Sequence, residues 1–247
     1  MMDETTELLL SPDAAAVAEA LAGRLIARLA EIQQQGRVPQ VALTGGRIAT
    51  RAYQRLASDG PQSAVDWSRV ELWWGDERFV AQDSDDRNDK STLADLTAAL
   101  PLSTDRIHPM PATDSGLDLD AAAASYAEEL GDTAFDLCLL GLGPDGHVAS
   151  LFPDHPSSTA VGNVIAVRDS PKPPPDRTSL TLPVLNRSAE VWFLVSGGDK
   201  AGAAHRALLS EGPVQVPGAR VAGRDRTVWL LDRDAAAQLP ADLLPEG

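Results

Sequence analysis

The residues with chemical potential in this chain fall into four short clusters. They are Thr44-Gly45-Gly46-Arg47, Gly75-Asp76-Glu77-Arg78, Gly143-Pro144-Asp145-Gly146-His147 and Ser196-Gly197-Gly198-Asp199-Lys200, and Arg177 stands by itself after a proline run. The glycine amides and the cations suit a phosphate. One imidazole among carboxylates suits proton transfer, and imidazole is the side chain whose unperturbed pKa lies nearest neutrality, so His147 is the candidate general base. Other chemistries lack their residues. The four histidines, His108, His147, His155 and His205, show no metal-ligand spacing with one another or with Cys138, so no metal is expected. No G-x-S-x-G elbow occurs. The nearest match to a dinucleotide fingerprint is Gly141-x-Gly143-x-x-Gly146, but no clear acid follows at the end of a second strand, and no cofactor is expected.

Each cluster follows an apolar run. Phe135–Leu142 is apolar almost throughout, the pattern of a strand buried on both faces, and it opens into the turn that carries Asp145 and His147. A plain strand-to-helix turn, with Asp145 as N-cap and His147 in the first helical turn, is the other reading of that stretch. Val41–Leu43 runs into TGGR and a helix over Ile48–Leu56. Arg69–Trp74 reads as a strand ending in the GDER turn, with a polar loop and a helix from Asn88 or Asp89 after it. Glu190–Val195 ends in SGGDK and a helix over Lys200–Leu209.

The remaining elements complete an alternation of strands and helices. Ser11-Pro12-Asp13 predicts a helix start with Ser11 as cap, then an apolar stripe at Val17, Leu21, Leu25, Leu29 and Ile32 that ends by Gly36. Asp118–Leu130 is an Ala-rich helix closed by Gly131. Short strands are expected at Arg106–Pro109, Asn163–Val167 and Thr227–Leu231. Ser170–Asp176 is an extended connector, and the TSLTLPVL strand after Arg177 gives way to a helical turn at Pro183–Asn186. The whole predicts one α/β domain over residues 1–247 with a largely parallel central sheet flanked by helices. In such a sheet the strands' carboxyl ends share one edge, so clusters far apart in sequence converge on one crevice.

Composition sets the surroundings. With 36 acids against 21 Lys and Arg, the net charge of −15 argues against nucleic-acid binding and against anionic membranes. Cations for an anionic ligand must therefore be concentrated locally. The acidic N-terminus does not read as a secretory signal, the lone Cys138 excludes an intrachain disulfide, and the expected location is the cytoplasm. The expected assembly is a monomer.

The segments GDERFV, LLGLGPDGHVASLFP, PPPDRTSLTLPVLN and SGGDKA resemble the glucosamine-6-phosphate isomerase/6-phosphogluconolactonase family, and the added DERFV, SLFP and DRTSLTL resemble its lactonases. The resemblance runs from the first helix to about Leu209. It implies a Rossmann-like fold, no metal, and hydrolysis of a small phosphorylated sugar lactone, 6-phospho-D-glucono-1,5-lactone. This chain departs from the family at TGGRIA, where the lactonases often have SGGSTP, which leaves open a phosphate contact by Arg47.

The residues fit that chemistry. A δ-lactone is an activated ester, which water can open with one general base, here His147. Arg78 is the candidate for the charge on the carbonyl oxygen, held by Asp76 or Asp145. The phosphate is expected on the Thr44, Gly45 and Gly46 amides and Lys200, with Arg177 assisting; Gly146 and Arg47 complete the candidate set. Two rivals are an amino-sugar-phosphate deaminase/isomerase and a non-catalytic sugar-phosphate sensor. The related deaminases carry an acid five residues beyond the motif histidine, and Asp-Glu-Tyr at the earlier cluster. Here those places hold Phe152 and Asp76-Glu77-Arg78.

Overall fold

The computed structural model describes residues 5–209 and 216–244. In chain order the elements are β1 (Thr6–Ser11), α1 (Ala14–Gln34), β2 (Gln40–Leu43), α2 (Arg47–Asp59), β3 (Glu71–Trp74), β4 (Asp76–Arg78), α3 (Asn88–Ala99) and α4 (Leu119–Leu130). They continue with β5 (Leu137–Gly141), β6 (Val164–Val167), β7 (Arg177–Leu180), α5 (Leu182–Leu185), β8 (Glu190–Val195), α6 (Ala201–Leu209) and β9 (Arg226–Asp232).

Six strands form a parallel sheet in the order β1-β9-β8-β5-β2-β3. The apolar runs alternate their side chains between its two faces. Leu137, Leu139, Trp192 and Leu194 pack with Leu21, Leu25 and Leu29 of α1 and with Tyr53 and Leu56 of α2. Cys138, Leu140, Val191 and Phe193 pack with Tyr126 and Leu130 of α4 and with Ala203, Ala204 and Ala207 of α6. Burial on both faces is why these strands read as unbroken apolar stretches. Strands β8, β5, β2 and β3 are neighbours, so the loops that follow them lie side by side. The strand order reverses between β2 and β5, where open α/β sheets bind ligands.

Three expectations are corrected. Ser11 is not a helix cap: it ends β1, an edge strand paired in parallel with β9. Asp13 caps α1 instead, accepting from the Ala16 amide at 2.9 Å. Glu7 and the flanking polar residues mask this strand, because an edge strand needs no continuous apolar run; the first four residues of the acidic N-terminus lie outside the described residues. The GDER cluster is not a turn. Asp76–Arg78 form β4, which pairs antiparallel with β7 in a small sheet of order β4-β7-β6. Arg106–Pro109 forms only an isolated bridge, Ile107 to Leu72. Among the described residues no helix is long and apolar enough to cross a membrane.

Candidate active site

The loops after β2, β3, β5 and β8, together with the connector before β7, line one cleft of about 530 Å³. Small-ligand sites usually fall in this size range. Six cations line it, Arg47, Arg51, Arg78, Lys172, Arg177 and Lys200, against two acids, Asp76 and Asp199. This local balance opposes the net charge of −15. The cleft is a positive site on a negative molecule, which suits an anionic ligand.

The β2 loop is held rigidly from below. Tyr53 of α2 accepts from the Thr44 amide at 3.1 Å and donates to the Thr44 carbonyl at 2.9 Å, while Thr44 Oγ1 accepts from the Gly141 amide at 3.3 Å. Gly46, at φ 104°, turns the chain into α2 and has the backbone freedom to do so. Arg47 extends from the first residue of the helix, 88% exposed, and stands 3.9 Å from Asp199. Lys200 lies 3.6 Å from the same carboxylate, and burial pushes its ammonium below the usual lysine range. Behind this end of the cleft, Asp232 at the end of β9 accepts from the Ser196 hydroxyl and the Gly197 amide, which shapes the SGGDK loop.

The β5 loop carries Asp145 and His147. His147 Nδ1 is 2.5 Å from Asp145 Oδ1. Burial works to raise the Asp145 carboxyl, but the hydrogen bond and charge of His147, helped by Lys172, outweigh it and hold it well below the usual carboxylate range. Asp145 is thus an acceptor, which places the ring proton on Nδ1 and leaves Nε2 with its lone pair. No helix follows: Val148 and Leu151 close an isolated bridge, so the plain strand-to-helix reading does not describe this turn. Phe152, fully buried, packs its ring 4.8 Å from the imidazole. Gly146 and Asp145 lie outside the cleft lining. At φ 92° and with a Cβ that would fall 2.5 Å from Val216, Gly146 is a packing requirement of the turn.

The β4 end differs most from expectation. Arg78 is held neither by Asp76 nor by Asp145. Its Nη1 donates to the Asp86 carbonyl at 2.6 Å and to Asn88 Oδ1 at 2.8 Å. Asp76 instead accepts from the buried Ser150 hydroxyl at 2.6 Å and lies 3.9 Å from Arg177. Asn88 is fixed in turn by Glu77, whose carboxyl accepts from the amides of Arg78, Asn88 and Asp89, each at 2.8 Å. Glu77 therefore caps α3 from a neighbouring strand. Desolvation pushes its pKa up to about 7 against those hydrogen bonds. Arg177 is 6% exposed and uses Nε and Nη2 on the carbonyls of Pro174, Lys172 and Pro173 at 3.1–3.2 Å.

Sequence reading passes over Asn88, Arg51 and Lys172. Lys172 Nζ reaches to 3.3 Å from His147 Nδ1 and 3.8 Å from Asp145 Oδ1. Its only sequence signal is a lysine inside a proline-rich stretch, which reads as a solvated connector. Among the described residues, no group of three or more His, Cys, Asp or Glu is placed to hold a metal.

Residues 12–229 match the family described as glucosamine-6-phosphate isomerases/6-phosphogluconolactonase. A 6-phosphogluconolactonase of Streptomyces coelicolor is 45% identical, covering 99% of this chain and 98% of its own. One of Mycobacterium tuberculosis is 45% identical, covering 93% and 97%. The crystal structure of the Thermotoga maritima 6-phosphogluconolactonase superposes with a TM-score of 0.82 at 28% identity, covering 92% of this chain and 99% of that one. A monomeric glucosamine-6-phosphate deaminase shares the fold alone, at a TM-score of 0.79 and 18% identity over 94% of this chain and 99% of that one. The chain belongs to the glucosamine-6-phosphate isomerase/6-phosphogluconolactonase family.

Proposed function

We propose that this chain hydrolyses 6-phospho-D-glucono-1,5-lactone to 6-phospho-D-gluconate, with His147 as general base. The observation that carries the reading is the Asp145–His147 pair at the edge of a cation-lined cleft. The 45% identity to lactonases over nearly the full length supports the substrate. Phe152 packing on the imidazole supports the lactonase over the deaminase, because that position is apolar and fully buried here.

The phosphate sits at the Thr44–Gly46 loop with Lys200, and the ring carbonyl lies toward His147. Water between Nε2 and the lactone carbon C1 gives its proton to Nε2 as its oxygen bonds to C1. The charge that develops on the carbonyl oxygen is met by Arg78, whose guanidinium Asn88 holds in place. Collapse of the tetrahedral intermediate breaks the bond from C1 to the ring oxygen. That oxygen takes the proton back from the imidazolium, and the carboxylic acid formed ionises to the product carboxylate. Asp145 keeps the ring in the Nδ1–H tautomer throughout and stabilises the imidazolium.

The test is a coupled assay with freshly generated lactone, corrected for spontaneous hydrolysis. His147→Asn is expected to lower kcat by about 10²–10⁴-fold with KM little changed, the usual loss for a general base. A folded His147→Asn protein that keeps most of its kcat would falsify the assignment.

A further inference from the structure

Lys172 differs from Arg78 and Arg177, which line the same cleft, in spending no side-chain donor on a backbone carbonyl. Arg177 spends Nε and Nη2 on backbone carbonyls, and Arg78 spends Nη1 on Asp86 and Asn88. With the Nδ1 hydrogen of His147 given to Asp145, Lys172 Nζ at 3.3 Å has no acceptor in the ring. Its nearest carboxylate among the described residues is Asp145, at 3.8 Å. Its ammonium, 41% exposed in the cleft lining, can donate to an anion.

Arg47, Lys172 and Lys200, three of the six cleft cations, have a carboxylate or the imidazole beside them that marks their place, and the charges of Lys172 and Lys200 still act on each other across the cleft. Arg47 and Lys200 gather around Asp199 at the helix end of the β2 loop, where the phosphate is placed. Lys172 stands beside the base, where the lactone carbonyl reacts. The substrate carries its dianionic phosphate at one end and is neutral at the other. The product carries a second anion, the carboxylate, at that other end. A cation beside the base meets charge that appears only as the reaction proceeds, which makes it a catalytic rather than a uniform binding contact.

We infer that Lys172 touches the substrate at its reacting end and binds the charge that becomes the product carboxylate, and that Arg177 is the positioning residue that holds Lys172 there through the carbonyls of Lys172, Pro173 and Pro174. The inference rests on the lactonase reading. It gives Arg177 a role distinct from direct phosphate binding. The two guanidinium nitrogens that face the connector tie three successive residues of a segment that has no regular secondary structure to β7, and β7 is buried along its whole length.

The experiment compares Lys172→Met, Lys172→Arg and Arg177→Gln in the full chain, with thermal melts run alongside. Initial rates on fresh lactone are paired with inhibition by 6-phosphogluconate and by inorganic phosphate. Lys172→Met is expected to lose about 10- to 100-fold in kcat, the range of one charge-assisted contact, with KM within about threefold. Inhibition by 6-phosphogluconate should weaken while inhibition by inorganic phosphate is unchanged, and Lys172→Arg should recover part of the rate. Arg177→Gln should lower kcat in the same way, and adding it to Lys172→Met should cost little more. A Lys172→Met protein that keeps kcat but loses inorganic phosphate inhibition assigns the lysine to the phosphate and overturns the inference; so do unchanged kinetics. An Arg177→Gln protein of normal kcat, or one whose loss multiplies with that of Lys172→Met, overturns the positioning role. A wild-type chain that does not accelerate lactone hydrolysis overturns the lactonase reading itself, a separate outcome.

Discussion

Gly45 tests how the β2 loop and α3 are fitted together. It does not sit at positive φ, so alanine is allowed there by the backbone. Its neighbour is the difficulty: a Cβ would fall 1.8 Å from Asn88 Oδ1 and 2.3 Å from Asn88 Cγ. Asn88 must swing away, and it is buried. The move breaks its bond to Arg78 Nη1 at 2.8 Å and the bond from Nδ2 to the Asp76 carbonyl at 3.1 Å. One charge-assisted and one neutral hydrogen bond together amount to about 2–4 kcal/mol. Gly45→Ala should therefore cost about that much in urea unfolding, and Asn88→Ala a similar amount by removing the same bonds. Because both act on one contact, the double variant should cost no more than Asn88→Ala alone, and not the sum of about 4–8 kcal/mol. Lactonase kcat should fall in all three proteins, because Arg78 loses one of its two holds in each and keeps only the Asp86 carbonyl. Stability losses that add in the double variant would show that the Gly45 requirement has another source and would refute the fit described.

Lys200→Ala should raise KM for the phosphorylated lactone by about 10- to 100-fold, the worth of one charge-assisted contact, and unphosphorylated gluconolactone should be a poor substrate of the wild type. Comparable turnover of the two lactones would remove the phosphate site from this end of the cleft. Burial raises the pKa of Glu77 to about 7, so the folded state holds this proton where the unfolded chain, near pH 4.5, has lost it. Its contribution to stability is then full below about pH 4.5 and lost as pH rises toward 7, and urea titrations of the wild type against Glu77→Gln should show the difference shrinking across that window. An opposite slope would mean the three amide bonds outweigh burial. With Phe152 packed on His147, no ammonia should be released from glucosamine 6-phosphate at any pH, and detectable deamination would contradict the lactonase assignment.

The sequence alone determined the parts whose cause is local. The buried strands were legible because residues such as Leu137–Leu140 and Val191–Val195 are covered on both faces and leave no polar alternation. The convergence of the loops followed from parallel pairing, which puts strand carboxyl ends on one edge whatever their separation in the chain. Asp145 and His147 were legible as candidates because both stand in the Gly-rich turn after a buried strand, whereas their direct contact at 2.5 Å came only from the structure. What only the tertiary structure decided depends on neighbours brought from afar. β1 became a strand by pairing with β9, more than 200 residues on, and β4 by pairing with β7. Arg78 looks in sequence as though Asp76, two residues away, should hold it. In β4 the two lie on the same face, but each is taken by a partner from another part of the chain: Arg78 by Asn88 of α3 and the Asp86 carbonyl, Asp76 by Ser150. Lys172 lies in a proline-rich stretch that carries no local mark of function. It lies beside His147, and its carbonyl is bonded by Arg177 of β7, contacts to which no spacing along the chain gives access.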